Sequence, residues 1–139
     1  MKILHTTEFY APAVGGMQEV VRQLSERLAR SGHEVTVATT FLPERNGTVL
    51  AGVNLASFRI RGNWATGCTG ETERYREFLL RSDFDIVTNF AAQQWTTDLA
   101  LDILAQIRAK KVFVPTGFSK LDVPRYHEYY RLMPGWMNQ

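Results

Sequence analysis

Residues 2–40 constrain the fold more than any other stretch. "KILHT", residues 2–6, is a short apolar run that reads as a buried strand. A loop follows over residues 7–16. Over residues 17–31 the spacing predicts a helix, with Val20, Val21, Leu24 and Leu28 on one face. Arg22, Glu26, Arg27 and Arg30 fall largely outside that stripe, and Gly32 is a helix stop. "EVTVATT", residues 34–40, is rich in β-branched residues and predicts a second strand. Strand, helix, tight turn and strand in that order imply a right-handed crossover and a parallel sheet.

The rest of the chain continues the alternation less regularly. Strands are predicted over residues 53–60, 84–90 and 111–114, the last stopped by Pro115. Helices are predicted over 71–82 and 96–110, the second with Leu99, Ile103, Leu104 and Ile107 on one side. "GNWATGCTG", residues 62–70, has the composition of a loop. A last helix is expected to start near Pro124 and to break at Pro134-Gly135 before the end at Gln139. The 139 residues have room for one domain with a core. The expected fold is α/β: a Rossmann-like, doubly wound, mainly parallel sheet with helices on both faces, in three layers. Ligands in such sheets bind beyond the carboxyl ends of the strands. The loops to watch follow His5, Thr40, Arg61, Asn89 and Val114.

Several function classes are disfavoured. A net charge of +2, with acids and bases mixed along the chain, gives no footprint for nucleic acid. No apolar run approaches the roughly 18 residues of a membrane span, and "MKILHTTE" is too short in its apolar part for a secretory leader. One cysteine, Cys68, permits no internal disulfide and fits a reducing compartment. A cytoplasmic setting is therefore expected, with peripheral contact at the inner face of a membrane left open. Asn46-Gly47-Thr48 reads as a turn. There is no Gly-x-Gly-x-x-Gly fingerprint after the first strand, no Walker loop, no His-Glu-x-x-His and no Gly-x-Ser-x-Gly elbow.

Gly15 and Gly16 stand directly before the first helix, at the ligand-binding edge. Two readings stand. Glycines carry no Cβ, so a ligand can approach the backbone closely, and a helix N-terminus presents free N–H groups to a phosphate. Alternatively, the pair only turns the chain into the helix.

"YAPAVGGMQEVVRQLSERLARSGHEVTVATT" resembles the opening of the N-terminal domain of family-4-like, GT-B fold glycosyltransferases. Pro12, Gly15-Gly16, the Val20 to Leu28 stripe and "GHEVTV" from Gly32 to Val37 stand where that family's pattern has them. "FDIVTNF" is similar to a later strand of the family, with Thr88 and Phe90 where histidines are common. "KVFVPTGF" is similar to another, with Thr116 before Gly117, and "YYRLMP" also resembles the family. The resemblance implies that residues 1–139 are the acceptor-side domain, an incomplete one, with the C-terminal donor domain lying outside them. Its Gly-Gly loop would reach toward the diphosphate and sugar of a nucleotide-sugar donor. The implied reaction moves a hexose to a hydroxyl acceptor, with retention, and this half is expected to be inactive alone. No metal or other cofactor is expected, since the nucleotide-sugar is a substrate. Glu26 and Glu34 match the donor site's Glu-x7-Glu by count only, because they fall on a helix and a strand start.

Other readings remain open beside it: a non-catalytic subunit that pairs with a donor-binding chain, or a small anion- or nucleotide-binding domain. An unpaired sheet edge after the last strand would favour a homo-oligomer. The acceptor-side candidates are Glu8, Thr116, Gly117, Lys120 and Arg125. Lys120, Arg125, His127 and Arg131 lie among Tyr126, Tyr129 and Tyr130. They would hold an anionic acceptor or lipid headgroup, or form a solvated face with the aromatics turned inward. His5 reads as a neutral core histidine, with a cleft-facing role as the sharper alternative. Trp64, Cys68 and Trp95 are placed in loops near the same edge, with Cys68 inert for want of a basic neighbour.

Overall fold

The computed structural model describes residues 1–81 and 83–138. The opening unit forms as expected, with β1 (Lys2–Thr6), α1 (Gly16–Arg30) and β2 (Glu34–Thr40). The two strands are parallel, Ile3 opposite Val35 and His5 opposite Val37. Gly32 ends α1 at a φ of 86°. Its N–H bonds back to the Ala29 carbonyl and that of His33 to Leu28, a closure that needs a left-handed residue.

The stripe on α1 is offset from the expected one. Val21 is fully buried and Leu28 packs on the core, but Val20 is 60% exposed and Leu24 39%. The line facing the sheet runs through Met17, Val21, Ser25 and Leu28, so Val20 and Leu24 fall on its flank. Ser25 sits at the centre of that face because its hydroxyl meets His5 of β1, Oγ to Nδ1 at 2.8 Å.

Next come β3 (Val49–Leu50) and β4 (Val53–Phe58), an antiparallel pair around the left-handed Ala51 and Gly52. The short β3 has no sequence signal of its own. The strand expected through residue 60 ends at Phe58. Residues 60–70, expected as mostly loop, form a hairpin of β5 (Ile60–Asn63) and β6 (Gly67–Gly70). Its glycines serve close approach: a Cβ on Gly70 would lie 1.9 Å from the Arg59 carbonyl oxygen, and one on Gly62 as near that of Gly67. The turn residues here pack two strands rather than marking a loop.

Then follow α2 (Thr72–Arg81), β7 (Ile86–Phe90), α3 (Trp95–Asp98), a 3-10 helix (Leu101–Gln106), β8 (Lys110–Val114) and α4 (Pro124–Met137). Ser82, the expected end of the second helix, and Gln139 lie outside the described residues. Two expectations fail. The helix predicted over 96–110 is broken into one turn of α-helix and a six-residue stretch of 3-10 helix. Trp95, Thr96, Thr97 and Asp98 are all buried, so this segment is enclosed on every side and cannot present a single face. α4 also runs through Pro134-Gly135; a proline this near the helix end removes only one late hydrogen bond.

The main sheet has the order β3-β4-β2-β1-β7-β8, parallel except for β3. Ile3, Val35, Val37, Val53, Leu55 and Phe90 face α1. Leu4, Ala38, Phe58 and Val87 face the other way, onto Tyr75 and Leu79 of α2 and Trp95 of α3. The result is the expected three-layer, doubly wound α/β fold. Strand order reverses direction between β1 and β7, so the ligand crevice opens where those two strands end. Among the described residues β8 forms one edge, with Lys110 and Lys111 exposed on it.

Candidate functional site

The glycine loop leaves β1 at this crevice and is held from behind. The Arg45 guanidinium donates to the Ala11 carbonyl at 2.9 Å, to Tyr10 at 3.2 Å, to Thr40 at 2.9 Å and to the Ser57 hydroxyl at 3.3 Å. Tyr10 itself is fully buried, so the loop is anchored at its middle. Nothing in the sequence singled out Arg45, since a lone arginine in a loop has no pattern. Beyond this anchor Val14 is 98% exposed and the chain enters α1. Gly15 has a φ of 176°, extended backbone open to any residue, and no side chain caps the helix. A Cβ on Gly15 would meet only the movable side chain of Gln18, and one on Gly16 would have nothing within 4 Å. Neither glycine has the left-handed backbone that a turn would require. The fold therefore supplies no reason of its own for glycine at position 16.

Two carboxylates approach the same edge. The Glu8 backbone N–H donates to Gln94 Oε1 at 3.0 Å, tying the loop after β1 to the loop after β7. Burial, then the charge of Asp98, raises the proton affinity of the Glu8 carboxyl. Asp98 is 5% exposed. It accepts the Trp64 backbone N–H at 2.8 Å and the Tyr129 hydroxyl at 2.8 Å, joining the β5–β6 hairpin to α4. Burial pushes Asp98 up to about 6, although these two bonds pull it back. Burial, then Asp98 and Glu8, pushes the Cys68 thiol up to about 11, so it stays protonated at neutral pH, as the sequence reading had it. A cleft of about 330 Å³ lies beside them, bounded by Asn63, Trp64, Cys68, Arg76, Asp98 and Trp136.

The loops after β7 and β8 are clipped together by Gln93. Its amide N–H₂ donates to the Ser119 carbonyl at 3.0 Å and the Tyr130 hydroxyl at 2.9 Å, and its Oε1 accepts from Ser119 Oγ at 2.8 Å. Its backbone N–H donates to Tyr129 at 3.1 Å. Ala91, Gln93, Thr116 and Lys120 all hold left-handed backbone, the kind of strain that collects at ligand sites. Asp98 and Gln93 escaped the sequence reading: both sit in a stretch assigned to loop or to a regular helix.

The structure separates the sequence's candidates. Glu8, Gly15 and Gly16 share the loop after β1. Thr116 and Gly117 lie after β8, where the Thr116 hydroxyl donates to the Pro115 carbonyl at 2.7 Å. Lys120 lies over the Tyr126 ring, 5.2 Å from its centre. Arg131 pairs with Glu128. Tyr126 and Tyr129 are buried and turn inward, while Arg125 and His127 face solvent. Trp95 is core, not loop, and fully buried. His5 is 2% exposed. Ser25 Oγ donates to the Val21 carbonyl, which leaves His5 Nδ1 as the donor to Ser25. Burial holds this imidazole down at about 4.

A doubly wound parallel sheet whose loops converge at its switch point is a Rossmann-like α/β domain. Its first helix begins with a glycine that the fold does not require, held on an anchored loop. The chain matches Glycosyltransferase Family 4 over residues 14–136, and it belongs to that family. No curated protein gave a match. Among the described residues no helix is long and apolar enough to cross a membrane.

Proposed function

We propose that this domain is the acceptor-side half of a glycosyltransferase that moves a hexose from a nucleotide-sugar to a hydroxyl acceptor. The observation that carries this reading is Gly16: it opens α1, has open space where its Cβ would be, and has no backbone need for glycine. What glycine gives there is room for something from outside the chain. The first turn of an uncapped helix offers N–H groups and partial positive charge to a diphosphate. Glu8, in the loop after β1 and with raised proton affinity, would accept the proton of an acceptor hydroxyl. Thr116, Gly117, Lys120 and Arg125 would line the far side of the acceptor path. The donor's nucleotide and most of the electrostatic stabilisation would come from a second domain, on the same chain or on a partner.

A transfer assay over a panel of nucleotide-sugars tests this. The chain alone should transfer nothing. Joined to, or mixed with, a donor-binding domain of the same family, it should transfer hexose to a hydroxyl acceptor. Robust turnover by the chain alone, or none in any combination, contradicts the reading.

A further inference from the structure

A second cleft, of about 500 Å³, lies between the loop after β2 and the β5–β6 hairpin. It opens at the carboxyl ends of β2 and β4, the same edge as the glycine loop. Thr40, Phe41, Pro43, Arg59, Arg61 and Thr69 line it. The Arg59 guanidinium lies over the Phe41 ring, 3.9 Å from its centre. The backbone of Arg59 is fixed from two sides. Its N–H donates to Glu71 Oε2 at 2.6 Å, and its carbonyl passes so close to Gly70 that only glycine fits there.

Neither guanidinium is engaged in a hydrogen bond; that of Arg59 stacks on Phe41 and lies in the field of the Glu71 carboxylate. The carboxylate of Glu71 is already engaged, one oxygen by the Arg59 backbone and the other by Arg74 at 2.8 Å. Among the described residues neither the Arg59 nor the Arg61 side chain donates a hydrogen bond or forms an ion pair, unlike Arg22, Arg45, Arg74, Arg76 and Arg131. Thr40 accepts the Trp95 indole N–H at 3.0 Å, so its own hydroxyl proton is free to donate.

We propose that this cleft binds a phosphoryl group carried by the acceptor. The proposal rests on the acceptor-side reading above for the word acceptor; the anion site itself rests on the cleft. Two guanidinium forks match a phosphate monoester, whose charge near pH 7 is close to two, better than a single carboxylate. Stacking on Phe41 has already fixed the plane of Arg59, so less freedom is lost when its N–H groups bind. Phe41 and Pro43 give a sugar ring or alkyl chain an apolar surface beside the anion. The volume is within the range of small-molecule sites. The phosphoryl group could belong to a soluble sugar phosphate or to a lipid headgroup, and the chemistry of recognition is the same.

Heteronuclear NMR titration of the chain tests this with four probes: glucose 6-phosphate, glucose, glucuronate, and phosphatidylcholine vesicles with and without phosphatidic acid, a lipid phosphate monoester. Either glucose 6-phosphate or the phosphatidic acid vesicles should give saturable shifts at Phe41, Arg59, Arg61 and Thr69, and whichever does so names the source. Glucose should give none, and glucuronate should bind more weakly. Arg59→Gln with Arg61→Gln should weaken binding about tenfold or more. Arg27→Gln, on the exposed face of α1, should leave it unchanged. Both cleft arginines are exposed, so the variants should fold, and their spectra report whether they do. If neither phosphoryl probe shifts these residues, or the double variant binds as well as wild type, the proposal is wrong. That failure would leave the acceptor-side reading to its own transfer assay.

Discussion

The β1–α1–β2 unit and the segment from β7 to β8 were written in the same sequence language and came out differently. Each offers a helix-length run with apolar residues at helical spacing. α1 has one neighbour, the sheet, and solvent on its other side, so a periodic stripe suffices. The segment around α3 is enclosed by the sheet, the β5–β6 hairpin and α4. Trp95 faces the core, Asp98 holds Trp64 and Tyr129, and the Thr97 hydroxyl donates to the Ala91 carbonyl at 2.6 Å. A regular helix cannot satisfy three directions at once, so the backbone breaks into two short helical pieces. Periodicity is legible where an element has one partner and is overruled where it has several.

The strongest way to break this comparison is to truncate each region. Trp95→Ala removes a fully buried side chain that packs on Phe58 and Tyr75, and should cost about 3–5 kcal/mol in urea unfolding. Leu24→Ala, on the half-open flank of α1, should cost about 1 kcal/mol or less. Equal losses would mean that the two regions are equally committed.

The buried titratable groups of the two regions pull in opposite directions with pH. His5 lies under α1 with its affinity lowered from 6.5 to about 4, so its contribution to stability is present above 6.5 and lost as pH falls through 4. Asp98 has its affinity raised from 3.8 to about 6, so its contribution is present below 3.8 and lost as pH rises through 6. Each effect is on the order of 3 kcal/mol. Between pH 4 and pH 6 the wild-type profile should therefore be shallow. Asp98→Asn should expose a stability that climbs with pH, and His5→Gln one that falls. Denaturant midpoints across that range decide it, and parallel profiles for the two variants would refute the assignment.

A smaller effect sharpens the contrast within the second region. Gln93→Ala removes the clip between the loops after β7 and β8 and should cost about 1–2 kcal/mol. Hydrogen exchange should quicken around residues 116–120 while α1 keeps its protection. Uniform quickening would show that Gln93 supports the whole domain instead.

What was legible follows the same division. The β-branched run of β2, the stop at Gly32 and the parallel order were readable because local chemistry and burial agree there. The burial of His5 was readable as well, since a histidine inside a short apolar strand has few other places to go. The hairpin was not, because its glycines serve close strand contact and look like loop residues in the sequence. Among the residues of the candidate site, the glycine pair and Glu8 could be proposed from their position after the first strand. Arg45, Gln93 and Asp98 were not, since their roles depend on partners 5 to 37 residues away. Arg59 looked like part of a strand, although it stands just beyond β4.

The central claim is that Gly16 is glycine for a ligand and not for the chain, and one paired measurement on a complete enzyme tests it. In Gly16→Ala the added methyl enters open space and α1 gains a better helix former, so the melting temperature should hold or rise slightly, by up to about 1 kcal/mol of stability. The same methyl would stand between the helix N-terminus and the donor diphosphate, so turnover should fall on the order of a hundredfold. Full activity per folded molecule, with only stability reduced, would contradict the account.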